Sequence, residues 1–167
     1  MLFRSTPSTE SVGTPAPTAP TPETTSMRSV LLGTNLVVNG GAEAGTAPLS
    51  SYKTAPIPGW TTTNHLSFLK YGTVGGFPTV KDPGPEDRGQ NFFVGGPDNR
   101  IASAMQSIDV SPLAAQIDAD RIQYRVAAYL GGVRGQNDRA ELEVLFQDEQ
   151  GAPLGRAALG PVTLQDR

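Results

Sequence analysis

The chain has 167 residues, of which 37% are hydrophobic and 17% charged, and its formal net charge at pH 7 is −3. This length fits one domain with some chain to spare, and the charge balance excludes the basic footprint of a nucleic-acid-binding protein. The absence of cysteine excludes disulfides and thiolate metal sites. No apolar run is long enough to cross a bilayer, so membrane insertion is not expected.

The N-terminal segment has the composition of a linker. Residues 5–26 read STPSTESVGTPAPTAPTPETTS and consist mostly of Ser, Thr and Pro. Such a segment buries too little apolar surface to offset its ordering entropy, and its prolines favour an extended chain. We therefore predict that residues 1–34 are a disordered linker and that residues 35–167 form the folded domain. The start, MLFRSTPSTE, lacks the apolar core of a secretory signal, and we expect the sequence to begin inside a longer protein.

The segment Asn35–Gly45, NLVVNGGAEAG, opens the predicted domain. Leu36–Val38 is a short apolar run typical of a buried strand. The run is broken at Asn39-Gly40-Gly41, where glycine allows a sharp turn or bulge. Glu43 follows directly, between two alanines. We predict a strand, a glycine corner and a carboxylate that supports the corner from inside the fold.

The rest of the domain alternates short apolar segments with turns that are rich in glycine and proline. The predicted strands are one beginning at Trp60, then Leu66–Tyr71, Asn91–Val94, Ala102–Val110, Arg121–Leu130, Ala140–Gln147 and Pro153–Val162. Ser111-Pro112 is predicted to start a single helical turn that runs through Ile117, and Asp148–Gly151 to form a turn. Strands at such short spacing favour an all-β sandwich over a parallel α/β sheet.

The order of strand, glycine corner and acid, followed by a loop and Pro58-Gly59-Trp60, resembles galactose-binding-like jelly-roll domains. These include many carbohydrate-binding modules of extracellular bacterial proteins, which often begin with an NGGFE-like motif. The C-terminal part of the sequence, with LGG, then NDRAELEVLFQDEQGAPLG and then GPV, resembles a bacterial subgroup of these domains. In that subgroup, further strands follow this part of the chain. The resemblance covers Asn35–Arg167 and implies a jelly-roll β-sandwich that lacks its C-terminal strand or strands. Ala42 stands where the family tends to have an aromatic residue.

Aromatic and polar side chains near predicted loops are candidates for sugar binding. A sugar site needs aromatic faces for the apolar side of a pyranose and polar groups for its hydroxyls. The candidate ligand-binding residues are Trp60, His65, Tyr71, Asn137, Asp138 and Arg139. The alternatives are a place in the core for Trp60, a solvated strand edge for His65 and a simple turn for Asn137-Asp138.

Glu43 has two possible roles. The resemblance implies that it helps to hold a structural calcium ion, which takes six to eight oxygen ligands. The second carboxylate of that family site belongs to a last strand that this chain lacks. The alternative role is a carboxylate that accepts hydrogen bonds at the glycine turn, and both roles stay open at this point.

These features predict a non-catalytic carbohydrate-binding or cell-surface-targeting module of a larger extracellular protein. Its expected partners are a glycan or cell-surface polysaccharide and other domains of the same chain. The alternative is a structural or adhesion sandwich that contacts protein. A glycan-active enzyme is the third class, but no catalytic residue is predicted, because His65 has no nucleophile partner in the sequence and the loop carboxylates occupy ordinary turn contexts. Without its last strand, the sandwich is expected to be marginally stable or self-associating.

Overall fold

A computed structural model of the protein describes residues 3–5, 31–97 and 100–167, so most of the predicted linker lies outside the described residues. The strands of the described part are β1 (Phe3–Ser5), β2 (Thr61–Thr63), β3 (Ser67–Lys70), β4 (Asn91–Val94), β5 (Ser103–Met105), β6 (Val126–Ala128), β7 (Ala140–Gln147) and β8 (Pro153–Val162). Short helical turns lie at Ser111–Leu113, Ala114–Ile117 and Leu164–Asp166. Across these ranges, no helix has both the length and the apolar character that a membrane span requires.

The strands pair in twos. β1 pairs with β6, β2 with β5, β3 with β4, and β7 with β8. The last three of these pairs are antiparallel. These small antiparallel sheets confirm the predicted β-rich class. Residues 38–106 and 127–167 belong to one compact unit, which contains β2 to β5, β7 and β8, and residues 107–126 belong to a second unit with two of the helical turns.

The core of the first unit is built on the β3–β4 ribbon. Phe68 stands opposite Phe93, and Leu69 stands opposite Phe92. All four side chains are buried. Because neighbouring residues of a strand project to opposite faces, both faces of this ribbon are covered. The double coverage explains why Phe92–Val94 is a continuous apolar run, and the predicted strand Asn91–Val94 is confirmed.

Aromatic rings cover the two faces of the ribbon separately. Trp60 meets Phe93 edge-on, with ring centroids 5.2 Å apart. Phe92, on the other face, packs against Tyr71 at 5.0 Å and against Phe77 at 6.2 Å between ring centroids. Trp60 and Tyr71 therefore belong to opposite faces of the same ribbon.

The β7–β8 hairpin confirms two predicted strands over their full lengths. The N–H of Gly151 donates to the carbonyl of Asp148 at 3.0 Å, and Gly151 has a φ of +81°, which confirms the predicted turn. Leu142 is buried on one face of the hairpin. On β7 and β8 respectively, Leu145 is 56% exposed and Leu154 is 72% exposed. One face of the hairpin is therefore partly buried, and the other face is exposed to solvent.

The prediction that Leu36–Val38 forms a buried strand is wrong. None of these residues lies in a strand, and Val38 is 62% exposed. The backbone of Val38 is paired with the side-chain amide of Gln106, and the N–H of Val37 donates to Asn35 Oδ1 at 3.1 Å. The N–H of Val38 donates to Gln106 Oε1 at 2.9 Å, and Gln106 Nε2 donates to the carbonyl of Val38 at 3.0 Å. A side chain therefore satisfies the backbone groups that a neighbouring strand would otherwise pair.

Two other predicted strands are much shorter than their sequence pattern indicated. Ala102–Val110 contains only β5, and Arg121–Leu130 contains only β6. Ile108 is 40% exposed and Tyr124 is 55% exposed. Their alternating pattern therefore does not correspond to a buried face, and burial is what usually makes such a pattern form a strand. The helical turn predicted at Ser111-Pro112 is confirmed and continues through Ile117.

Candidate functional site

The glycine corner is held by the side chain of Asn39. This residue has a φ of +51°, a conformation that asparagine tolerates better than most residues. Its Oδ1 accepts the N–H of Ala44 at 2.9 Å, and its Nδ2 donates to the carbonyl of Pro58 at 2.9 Å. Its own carbonyl accepts a hydrogen bond from Trp60 Nε1 at 3.2 Å. The corner is therefore tied to the loop that leads into β2.

Glu43 follows the corner and binds the start of β4. Its Oε1 accepts the N–H groups of Gln90 and Asn91, each at 2.9 Å. Gly89 gives this carboxylate its room, because a Cβ at that position would overlap Glu43 Oε1. The side chain of Glu43 is exposed, so the prediction that it acts from inside the fold is wrong. Glu43 therefore connects the corner to the start of β4 at the protein surface.

The hydrogen bonds at Glu43 bear on the two roles predicted for it. Two N–H groups point their positive ends at Oε1 and so compete with a cation for this oxygen. Within residues 31–97 and 100–167, no group of three or more His, Cys, Asp or Glu side chains could hold a metal ion. A calcium ion at Glu43 would thus have to take most of its six to eight oxygens from main-chain carbonyls and water. The contacts of Glu43 fit the hydrogen-bonded role better.

The substitution Glu43→Gln separates these roles. We expect it to lower the free energy of unfolding by about 1–2 kcal/mol, since a neutral amide oxygen accepts the two N–H groups less strongly. The loss should be equal in calcium and in a chelator, as measured by thermal melting, and Glu86→Gln is the exposed control. An increase in Tm with calcium that Glu43→Gln abolishes would instead establish the calcium site, because an ion stabilises the state that binds it.

A groove of about 410 Å³ lies beside the corner. Its one wall is the loop Gly45–Leu49, and its other wall is the end of the β3–β4 ribbon with Lys70, Thr73 and Asn91. Its volume is in the range of small-molecule sites, which hold a few polar groups in a mainly apolar surface. This groove is our candidate binding site.

Lys70 and Asn91 stand directly opposite each other across the ribbon. Since side chains alternate along a strand, both project to the face that carries Phe68 and Phe93, the face on which Trp60 packs. Lys70 is exposed, whereas Asn91 is only 5% exposed. The lining of the groove therefore includes an exposed cation and a largely buried amide.

The amide of Asn91 is only half satisfied. Its Nδ2 donates to the carbonyl of Ala42 at 2.9 Å, and this bond fixes the orientation of the amide, because a carbonyl accepts only from the nitrogen. Its Oδ1 is buried and has no hydrogen-bond partner among the described residues. Leaving such an acceptor unpaired costs about 1–3 kcal/mol. This oxygen has almost no solvent-accessible surface, so a ligand in the groove does not reach it.

The two predicted aromatic ligands do not share a site. Trp60 is half-buried against Phe93, which agrees with the alternative prediction of a place in the core. Tyr71 packs on Phe92, and the guanidinium carbon of Arg88 lies 5.6 Å from the centre of its ring. Burial raises the pKa of Tyr71 above its ordinary value. Because the two rings cover opposite faces of the ribbon, they cannot form a single sugar platform.

The other predicted ligands lie in two exposed turns. Asp138 Oδ1 accepts a hydrogen bond from Arg167 Nη2 at 2.7 Å, and Asp138 Oδ2 accepts the N–H of Val133 at 3.2 Å. These bonds hold the Gly131–Arg139 loop and give Asp138 a structural role. The remaining predicted ligands, Asn137, Arg139 and His65, are exposed.

Sequence reasoning missed the two groove residues that carry the most chemistry. Asn91 was counted only as the first residue of an apolar strand, and Lys70 only as a member of the alternating pattern in Leu66–Tyr71. The sequence feature that could have revealed these two residues is a polar residue at one end of each apolar strand. Polar ends of paired strands meet in an antiparallel ribbon and can line one site.

The sequence matches no protein-family model, and neither curated proteins nor solved structures give a match. What the protein does must therefore be inferred from the residues of the groove.

Proposed function

We propose that the protein is a non-catalytic carbohydrate-binding module with a galactose-binding-like jelly-roll architecture. It acts outside the cell, as part of a larger protein that it keeps near a glycan or a cell-surface polysaccharide. The observation that supports this proposal is the open groove, in which the exposed Lys70 and Thr46 lie beside the exposed apolar side chain of Leu49.

These groove residues suit a small polyhydroxylated ligand. Lys70 supplies hydrogen-bond donors, and the exposed hydroxyl of Thr46 can donate or accept. Leu49 is 99% exposed and offers an apolar surface to the C–H groups of a sugar ring. Among the described residues, no aromatic ring lines this groove, so we expect weak binding, with a Kd on the order of 0.1–1 mM, or about 4–5.5 kcal/mol.

The test of this function is titration of the full chain with neutral and acidic oligosaccharides, followed by calorimetry and by NMR shifts of groove amides. At least one saccharide should bind, and it should remain chemically intact. Thr46→Trp should weaken its binding at least tenfold, because an indole at this exposed position fills the groove. Thr54→Trp, at an exposed position outside the groove lining, is the matched control. Binding that is absent from the wild type, or unaffected by Thr46→Trp, would contradict the proposal.

A structural or adhesion module that contacts protein is the second candidate function. The β7–β8 hairpin favours it, because within the described part of the chain these strands pair only with each other. Free strand edges can pair with another chain, and Leu145 and Leu154 add exposed apolar surface. Self-association through such an edge remains a prediction. This candidate becomes the better one if the folded protein binds no saccharide.

A further inference from the structure

We infer that the outer edge of β7 binds an extended segment of a partner protein in which apolar residues alternate with Lys or Arg. The segment would add to the β7–β8 hairpin as a further strand. The inference goes beyond carbohydrate binding and gives the second candidate function a partner of defined chemistry. It follows from the pairing of the hairpin, from the regularity of β7 and from the charges along its exposed face.

Only one of the two edges of the hairpin is suited to further pairing. β8 contains Pro153 and Pro161, which have no N–H to donate, and both irregularities of the register add a residue to β8. Prolines and bulges make a strand edge unsuited to pairing. β7 contains neither proline nor glycine in its eight residues. Within the described part of the chain, β7 pairs with β8 alone, so its other edge is open to a further strand.

The exposed face of β7 is acidic. Glu141, Glu143 and Leu145 alternate with less exposed residues along the strand, so their side chains project to the same face. Arg156 of β8 forms an ion pair with Glu143 at 3.3 Å, in which both side chains are exposed. Such a surface pair contributes little and is readily exchanged. Among the described residues, Glu141 forms no ion pair, and β7 itself carries no Lys or Arg.

These charges determine which strand the edge accepts. A second copy that used its own β7 would bring the same two glutamates, and like charges on paired strands oppose the pairing. A partner with Lys or Arg opposite Glu141 and Glu143 replaces this repulsion with attraction. Its intervening residues lie on the face of Leu142, which is buried, so apolar side chains fit there. The period of two along a strand then requires the alternation of basic and apolar residues.

The test uses an eight-residue peptide of the same length as β7, with the sequence TVTVKVKV and blocked ends. In antiparallel pairing, its two lysines stand opposite Glu143 and Glu141. The control peptide is TVTVEVEV. We expect the full chain to bind the lysine peptide about tenfold more tightly, because two cross-strand pairs change from like to opposite charge. Fluorescence anisotropy of labelled peptides measures both affinities, and the difference should shrink at high ionic strength.

Charge reversal on the protein tests the position of the peptide. The double variant Glu141→Lys with Glu143→Lys should invert the preference, so that the glutamate peptide binds more tightly. Glu86→Lys with Asp87→Lys changes two exposed acids outside the hairpin and alters the net charge equally. This control should still prefer the lysine peptide. The melting temperature of each variant shows whether a lost affinity is lost folding.

Methylation of the peptide backbone tests whether a strand is added. Two versions of the lysine peptide carry N-methyl groups on one or the other alternate set of residues, and only one set faces β7. One version should bind at least about tenfold more weakly than the other, because its hydrogen bonds to β7 are blocked. Equal binding of the two versions would overturn the inference, since charge alone would then hold the peptide.

The inference and the proposed function fail separately. If the lysine peptide does not bind, or if its preference survives reversal of Glu141 and Glu143, the inference is overturned and the saccharide titration is unaffected. A wild-type dimer whose β7 amides are protected from hydrogen exchange would also overturn it, because a second copy would then occupy the edge. If no saccharide binds, carbohydrate binding fails, and the peptide experiment still decides the inference.

Discussion

Gly89→Ala is expected to lower the free energy of unfolding by about 3 kcal/mol. Gly89 has a φ of +73°, and an alanine in this region of φ costs about 1–2 kcal/mol. The added Cβ would also overlap Glu43 Oε1 and displace the acceptor of two backbone N–H groups, at about 1 kcal/mol for each bond. Urea unfolding followed by circular dichroism measures the change.

Gly72→Ala is the matched control for this substitution. Gly72 has a φ of +83°, and a Cβ at this position would have nothing within 4 Å, so only the conformational cost of about 1–2 kcal/mol should remain. In a chain that already carries Glu43→Ala, the cost of Gly89→Ala should fall to that of Gly72→Ala, because the clash is gone. Equal costs for Gly89→Ala and Gly72→Ala in the wild-type background would refute a role for Glu43 at this corner.

Asn39→Ala is the second substitution with a large expected effect, again about 3 kcal/mol. It removes the acceptor for the N–H of Ala44 and the donor to the carbonyl of Pro58, and it places alanine at a φ of +51°. The two lost bonds and the strained backbone each contribute about 1 kcal/mol. Trp60 is the only tryptophan of the chain, and its Nε1 binds the carbonyl of Asn39, so its fluorescence reports on the corner during unfolding.

Asn64→Ala provides the comparison for Asn39→Ala. Asn64 has a φ of +47°, and its Nδ2 donates to the carbonyl of Ile101 at 2.9 Å. Asn64→Ala therefore has the same conformational cost as Asn39→Ala but removes only one side-chain hydrogen bond. We expect it to lower the free energy of unfolding by about 2 kcal/mol in total. It should leave the emission of native Trp60 unchanged, whereas Asn39→Ala should shift it. If the two variants were equally stable and spectrally alike, the corner would not depend on the Asn39 side chain.

The parts of the fold that were predicted correctly are those determined by neighbours in the sequence. The β7–β8 hairpin combines two apolar patterns with a turn in which Gly151 takes a positive φ, and all of that information is local. NFFV is similar, because a polar residue followed by three apolar residues between turns is too short for a helix and is typical of a buried strand. The prediction for Leu36–Val38 failed because the backbone of Val38 is paired with Gln106, a side chain distant in the sequence. No periodicity of the segment itself could reveal that partner.

The site was harder to predict because it depends on the face of the ribbon to which each side chain projects. Trp60 and Tyr71 are both aromatic residues beside loops, so sequence reasoning placed them together. They lie apart because one packs on Phe93 and the other on Phe92, and a shift of one residue along a strand changes the face. Lys70 and Asn91 meet for the same reason, through a register that only the folded ribbon fixes.

The Asn39-Gly40 pair at the corner is also a site at which asparagine can slowly deamidate. The main-chain nitrogen of a glycine that follows asparagine can attack the side-chain amide carbon and expel ammonia, and asparagine is a thermolabile residue for this reason. In the folded protein, the amide of Asn39 is held at both ends and Gly40 is buried. The reaction therefore proceeds mainly when the corner opens. Water then opens the cyclic imide to aspartate or isoaspartate, whose carboxylate cannot donate to the carbonyl of Pro58. The deamidated fraction therefore records how often the corner has opened over the lifetime of the molecule.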